Sequence, residues 1–282
     1  MERRDVVLPA GTVRYRVSGP ADGPPVVFVH GFLVDDTLWS DVPERLAGHG
    51  YRTYAPTWPL GAHTTPMRPD ADLSPRGLAR LVAAFLETLD LDDVLLVGSD
   101  TGGAISQLVL DEAPDRVGRL VLTNCDAFDT FPPFPFDWLF RLARHEGPSR
   151  LLLQAMRPAF LRHSWLGFGG LVRRDLTAAE SRRWIEPYLT DAGVRRDVTS
   201  FALDWTGAEL ADAGRWLARF DRPVLLAWAP RDPFFGKELA ARLLSTFPDA
   251  TLVEFPDART FVSLDEPAAL ADAIVAWAAP TG

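Results

Sequence analysis

The stretch Val97-Gly98-Ser99-Asp100-Thr101-Gly102-Gly103 has residue types and spacing suited to chemistry. Before it, Asp93 to Val97 is a short apolar run rich in branched residues and reads as a buried strand. After it, Ala104 to Leu110 reads as a helix that ends before Pro114. Where a strand turns at once into a helix, the residue at the tip sits in strained backbone, and bulk two positions to either side would clash. Glycine removes that clash. Centring the turn on Asp100 puts Gly98 and Gly102 at the crowded positions, whereas centring it on Ser99 would put Val97 and Thr101 there. The tip is therefore a carboxylate, able to attack carbon or to exchange a proton. A turn aspartate that only caps the following helix is the duller reading. Small residues at three positions of the turn weigh against it.

Other groups could assist. Val117 to Leu122 reads as a strand that delivers Asn124, Cys125 and Asp126 to its end, and Pro223 to Trp228 is a strand followed by Asp232. His63 lies in the long loop from Pro56 to Asp72, after a strand at Tyr51 to Ala55. It is a candidate base, although a lone loop histidine is more often a surface or hydrogen-bonding residue. His145 and His163 fall in the middle of the chain, His49 sits between glycines, and no histidine follows His163. Arg141 to Arg174 is an arginine-rich run, by default a solvated face and otherwise a contact for an anionic substrate.

These groups are carried by alternating strands and helices. Val6 to Leu8 and Thr12 to Val17 read as an antiparallel pair, and Val26 to Val29 is a continuous apolar run ending in His30-Gly31-Phe32. Trp39 to Gly48 can form a helix. Ser74-Pro75 opens another as N-cap and first residue, with Leu78, Leu81, Val82, Phe85, Leu86 and Leu89 on one face. The pattern breaks near Ala127. Phe131 to Phe136 alternates phenylalanine with proline and cannot be regular helix or inner strand. From Asp137 to about Phe220 the periods are helical. Strand and helix then alternate again, through a helix at Lys237 to Ser245, a strand at Thr251 to Phe255 and a closing helix from Pro267 to Ala279. The expectation is a mainly parallel, doubly wound sheet formed by residues 1–126 and 221–282, with residues 127–220 inserted as a helical cap. Ligands of such sheets bind beyond the carboxyl ends of the strands, where every candidate above is placed.

Composition narrows the function. The chain has 282 residues, 47% hydrophobic and 24% charged, with a net charge of −9. That balance argues against nucleic acid or an anionic membrane as a partner. Cys125 stands alone and nothing has metal-ligand spacing, so neither a disulfide framework nor a metal or other cofactor is expected. Met1 to Gly11 has no apolar core like that of a signal peptide, and no later segment is apolar for long enough to span a bilayer. A soluble, cytoplasmic monomer or homodimer acting on a small molecule is the expectation.

On these motifs the chain resembles the α/β-hydrolase superfamily, and its Asp100 elbow resembles the branch with an aspartate nucleophile, the haloalkane dehalogenases and epoxide hydrolases. The resemblance covers nearly the whole chain except the middle insertion. It implies that Asp100 attacks carbon while the backbone N–H groups of Thr101 and Phe32 stabilise developing negative charge. It also implies that His30 braces its own loop. Asp232 matches the usual position of the acid that orients a base, and Asp126 an alternative position. The base itself departs from the pattern. The superfamily places a histidine after the last strand, in a Gly-His-Phe context before an acid and a proline. Here Asp257-Ala258-Arg259-Thr260-Phe261 leads to Glu266-Pro267 and puts Thr260 at that position. Threonine cannot take a proton from water near neutral pH, so an ester on Asp100 would lack its usual route to hydrolysis.

The subfamily features are also incomplete. The halide cradle of such dehalogenases resembles a tryptophan after the nucleophile plus a second donor, and Thr101 and Phe32 occupy two of those positions. Epoxide hydrolases use two cap tyrosines, whereas this cap offers Tyr188, with Trp138 among the tryptophans that could donate an N–H. Three readings follow, in this order. The first is a hydrolase working through Asp100, with water activated at Asp232 or His63. The second is a lyase, isomerase or cyclase using Asp100 as general acid or base. The third is a binding homologue without activity.

Overall fold

The computed structural model describes residues 1–205 and 207–279. Eight strands, β1 (Glu2–Leu8), β2 (Gly11–Ser18), β3 (Pro25–Val29), β4 (Arg52–Pro56), β5 (Val94–Asp100), β6 (Val117–Cys125), β7 (Val224–Trp228) and β8 (Ala250–Glu254), form one sheet in the order β1-β2-β4-β3-β5-β6-β7-β8. β2 runs antiparallel to both of its neighbours, and every pairing from β4 to β8 is parallel. The continuous apolar runs are the buried central strands, as parallel pairing under helices on both faces demands. β1 and β8 form the edges and keep exposed positions.

Helices α1 (Val42–Gly48) and α13 (Pro267–Ala278) cover one face, through a core that includes Phe28, Trp39, Leu46, Val97 and Ile274. Helices α2 (Pro75–Thr88), α3 (Thr101–Glu112) and α11 (Lys237–Thr246) bury their apolar sides in the core of the other face. Ser74 caps α2 by accepting from the Gly77 N–H at 3.0 Å, with Pro75 inside the first turn, and Leu78, Leu81, Val82, Phe85 and Leu86 are buried. The single helix expected from Trp39 to Gly48 is two pieces. Asp36–Trp39 is a 3-10 turn, and Ser40, at φ 50°, breaks the path before Pro43 helps α1 to start.

Between β6 and β7 the chain forms the helices α4 (Asp137–Ala143), α5 (Glu146–Ala155), α6 (Ala159–Arg162), α7 (Ala178–Thr190), α8 (Ala192–Asp204), α9 (Ala208–Ala211) and α10 (Gly214–Leu217). No strand occurs there among the described residues. A last short helix, α12 (Val262–Asp265), precedes α13. The cap is fastened to the core by polar contacts. Trp184 donates its indole N–H to Thr37 Oγ1 at 3.1 Å, and Arg183 pairs with the buried Asp35. The Asp265 carboxylate accepts from the N–H groups of Arg173 and Arg174 in the cap and of Arg259 in the loop after β8, at 2.8–3.0 Å.

The junction of β5 and α3 depends on glycine. A Cβ on Gly102 would press into the carbonyl oxygens of Val29 and His30, and one on Gly103 into the Cys125 side chain. Gly102→Ala should therefore lower stability in urea by about 3 kcal/mol or more, the cost of forcing a group into a packed interior. Gly48→Ala, where an added methyl meets nothing within 4 Å, should cost nothing. Equal effects of the two substitutions would contradict the close approach at the elbow.

Candidate active site

Asp100 ends β5 with φ 55°, outside the comfortable range of any residue that carries a side chain, and the next residue begins α3. Its side chain makes no capping bond to the helix. Instead Oδ2 accepts a hydrogen bond from the Phe32 N–H at 3.1 Å, and the Thr101 N–H also favours its ionised form. The Phe32 loop is rigid because His30 is buried and engaged at both nitrogens. The Trp58 N–H donates to Nε2 at 2.8 Å, which leaves Nδ1 as the donor to Gly31 O at 2.9 Å. Burial lowers the His30 pKa, so the ring is a neutral brace. Gly31 is necessary as well, since a Cβ there would overlap Asp100 Oδ2.

The carboxyl opens into a cavity of about 90 Å³ beneath the cap. Its walls are mostly apolar, with Phe136, Trp138, Phe140 and Leu166 from the cap and Phe32 and Phe234 from core loops. Thr101 and Asp126 line it too, so the structure brings together Asp100, Phe32, Thr101, Asp126 and Trp138. Asp126 is wholly buried and neither of its oxygens has a hydrogen-bond partner. Burial first, and then the charge of Asp100, holds its pKa well above the carboxylate range. Burial also raises Asp100, to about 7, against the two backbone N–H groups, and Asp232 adds to the rise. The two carboxyls are thus pushed apart, with Asp100 supported by donors and Asp126 left to keep its proton.

Asp232 is also buried, near enough for its charge to act on Asp100. Its Oδ1 accepts from the N–H groups of Phe234 and Phe235 at 2.8 and 3.2 Å, which fixes the turn after β7. Its Oδ2 has no partner, and burial lifts its pKa to about 6. Thr260 is fully buried next to it, near enough to favour the carboxylate, yet Oγ1 forms no hydrogen bond. The threonine therefore stands beside the acid, without the imidazole that would link that acid to Asp100.

His63 is held elsewhere. It is buried, with Nδ1 accepting from the Gly61 N–H at 3.3 Å and Nε2 donating to Asp197 Oδ2, on α8, at 3.1 Å. Asp197 Oδ2 also accepts from the Met67 N–H at 2.7 Å. This joins loop to cap, and His63 faces a separate polar cleft with Asp35, Arg183 and Asp191 instead of the Asp100 cavity. Tyr188 is buried against the Ser149 hydroxyl and is not among the cavity walls.

Sequence reasoning placed Asn124 at the end of its strand without giving it a role, and it missed Gln107. Asn124 ties the end of β6 to the Asp232 loop by donating to Ala229 O and Phe235 O, at 3.0 and 3.1 Å, and accepting from the Ala229 N–H at 2.7 Å. Gln107 on α3 donates to Asp126 O at 2.8 Å. Amides inside apolar runs were the available signal, because such groups are buried only when satisfied. Among the described residues no cluster of histidine, cysteine and acids could hold a metal ion, and no helix is long and apolar enough to cross a membrane.

Residues 24–267 match the α/β hydrolase fold family, and the chain belongs to that family of enzymes. It is 29% identical to a cis-3-alkyl-4-alkyloxetan-2-one decarboxylase of Xanthomonas campestris over 289 residues, covering 96% of this chain and 93% of the relative. It is also 29% identical to haloalkane dehalogenase 2 of Mycobacterium tuberculosis over 275 residues, covering 94% and 91%. The crystal structure of a haloalkane dehalogenase from Bradyrhizobium elkani superposes with a TM-score of 0.80 at 20% identity, covering 98% of this chain and 97% of that one, a likeness of fold.

Two outcomes follow from the electrostatics. A carboxyl whose pKa is raised by folding binds more protons folded than unfolded, so its contribution to stability falls as pH rises from the unfolded value, near 4, through about 7. Asp100→Asn should therefore raise the melting temperature by a few degrees at pH 8 and change it little at pH 4. A variant less stable at pH 8 would contradict the burial argument. His63→Ala leaves Asp197 short of a partner inside the protein and should cost about 1–3 kcal/mol in urea denaturation. An unchanged denaturation midpoint would contradict the latch.

Proposed function

We propose that this enzyme takes the carbon skeleton of a small, largely apolar electrophile onto Asp100. The observation that carries the reading is a carboxyl whose Oδ2 accepts from the Phe32 N–H and whose ionisation the Thr101 N–H also favours, at an apolar cavity, beside a second carboxyl that keeps its proton. The free oxygen of Asp100 attacks carbon, a C–O ester bond forms, and the bond from that carbon to its halogen or oxygen leaving group breaks. A departing alkoxide takes the proton of Asp126, whereas a departing halide leaves as the anion and accepts a hydrogen bond from that carboxyl, which thus stands in for the missing halide cradle and ring-opening tyrosines. In the hydrolytic reading Asp232, whose pKa is near 6, removes a proton from water as it attacks the ester carbonyl. The Phe32 and Thr101 N–H groups then hold the resulting oxyanion. A carboxylate is a weaker base than imidazole, so this second step is slow and the ester accumulates.

A second reading is favoured by Thr260 and by the oxetan-2-one named for the Xanthomonas relative. Attack on the alkyl-bearing ring carbon bonded to the ring oxygen of such a lactone breaks that C–O bond and leaves a carboxylate on the same skeleton. Loss of carbon dioxide then pushes the electron pair into a new C=C bond and expels Asp100 as a carboxylate. That sequence needs neither water nor a base, so it tolerates the absent histidine.

Intact-mass measurement after incubation with 1,2-dibromoethane, styrene oxide and a cis-3,4-dialkyloxetan-2-one tests both readings. An adduct should map to Asp100 with the halide or epoxide and be absent from Asp100→Asn. Thr260→His should shorten the life of that adduct at least about tenfold, within the range of general-base catalysis. In ¹⁸O-water, hydrolysis labels the Asp100 carboxyl, whereas decarboxylative release gives alkene and carbon dioxide with no label in Asp100. Neither adduct nor product from any of the three compounds would defeat the proposal.

A further inference from the structure

The outer side of the cap is unusually apolar. Of the large hydrophobic side chains that remain exposed, most lie between residues 134 and 166, with Phe134 at 86%, Leu151 at 73% and Phe160 at 72% exposure and Trp165 and Leu166 at half or more. Exposed apolar residues gathered in this way mark interaction surfaces, because scattered single side chains are the norm elsewhere. The patch is continuous with the catalytic cavity. Leu166 is exposed and also lines the cavity, and Trp165 packs on Phe234, a cavity wall, at 5.4 Å between ring centres.

Charge separates this face from the rest of the chain. Residues 134–166 contain five arginines and two acids, within a protein of net charge −9. Arg144 and Arg162 turn inward onto backbone carbonyls. Arg141, Arg150 and Arg157 are exposed, and neither Arg150 nor Arg157 pairs with a carboxylate among the described residues. Glu146, one of the two acids, is occupied by Arg195 at 2.7 Å. Leu151 follows Arg150 directly, and Phe160 lies three residues beyond Arg157, so exposed apolar and cationic residues alternate along this stretch of the cap, whose Leu152, Leu153 and Met156 line the cavity.

We propose that this face of the cap seats on an anionic lipid surface and draws an apolar substrate from it into the Asp100 cavity. The apolar side chains enter the acyl boundary while the arginines meet the lipid phosphates, and the acidic remainder of the molecule is held away from the membrane. The net charge argues against such a partner only while charge is averaged over the whole chain. A second copy is the poorer occupant, since pairing through this face would close both cavity mouths. The inference rests on the proposed function only for the substrate being apolar, and lipid binding is read independently of reaction.

Flotation of the whole protein with vesicles tests it. The protein should float with equimolar phosphatidylglycerol and phosphatidylcholine, stay behind with phosphatidylcholine alone, and detach at high salt. Leu151→Ser with Phe160→Ser, and separately Arg150→Glu with Arg157→Glu, should each weaken flotation at least about tenfold, since one arginine near an anionic surface contributes roughly fivefold. Both double variants should still give the wild-type adduct with a water-soluble electrophile. No flotation on anionic vesicles, flotation unchanged in the arginine variant, or a solution dimer that the Leu151→Ser, Phe160→Ser variant dissolves would overturn the proposal. If adduct formation fails and flotation persists, it is the reading of Asp100 that falls.

Discussion

The structure turns on burying carboxyl groups without cations to balance them. Asp100, Asp126 and Asp232 lie close enough that the charge of one raises the pKa of its neighbour, and desolvation is the largest influence on each. Neither Asp100 nor Asp126 has an ion-pair partner among the described residues. Backbone N–H groups support ionisation, from Phe32 and Thr101 at Asp100 and from Phe234 and Phe235 at Asp232, where Thr260 and the charge of Arg259 add to them. Those donors decide where the negative charge resides. Asp232, raised to about 6, takes it first and Asp100, raised to about 7, takes it next, while Asp126, whose oxygens have no hydrogen-bond partner, is pushed well above its ordinary value.

Much of the architecture exists to hold those donors. The Phe32 N–H is aimed by a loop that His30 locks against Trp58, and the Thr101 N–H by an elbow in which Gly98 and Gly102 admit close backbone approach and Gly103 admits the Cys125 side chain. The Phe234 and Phe235 N–H groups belong to a turn that Asn124 fastens to β6. Preorganised donors of this kind need no reorientation when charge moves, and this is the main electrostatic means by which a protein lowers a barrier. The cap contributes by exclusion. It covers the carboxyls with aromatic side chains and is fixed in place by His63–Asp197, Arg183–Asp35 and the Asp265 carboxylate.

The elbow and the sheet were legible in the sequence because each rests on local rules. Four apolar runs could only be buried parallel strands, and the glycine spacing selected Asp100 over Ser99 as the tip. The register from Phe261 to Pro267 placed Thr260 in the last loop, and the structure sets it beside Asp232. Less local features were hidden. The partner of His63 is 134 residues away on a cap helix, so no spacing rule could reveal that its ring is a latch. Ser40 takes a left-handed conformation without a glycine to announce it, and the expected helix divides there. The unpartnered state of Asp126 depends on which side chains surround it, and only three-dimensional packing decides that.

The central claim is that Asp100 is a nucleophile whose ionisation is held back by its buried neighbours. The most direct test is the pH dependence of the first-order rate at which Asp100 forms its ester in single turnover with excess electrophile. The account predicts a rate that rises with pH through about 7 and levels above it, because the attacking carboxylate appears only as that proton leaves. A rate constant flat from about pH 5 to about pH 9 would mean an ordinary, already ionised carboxylate, and would contradict the account.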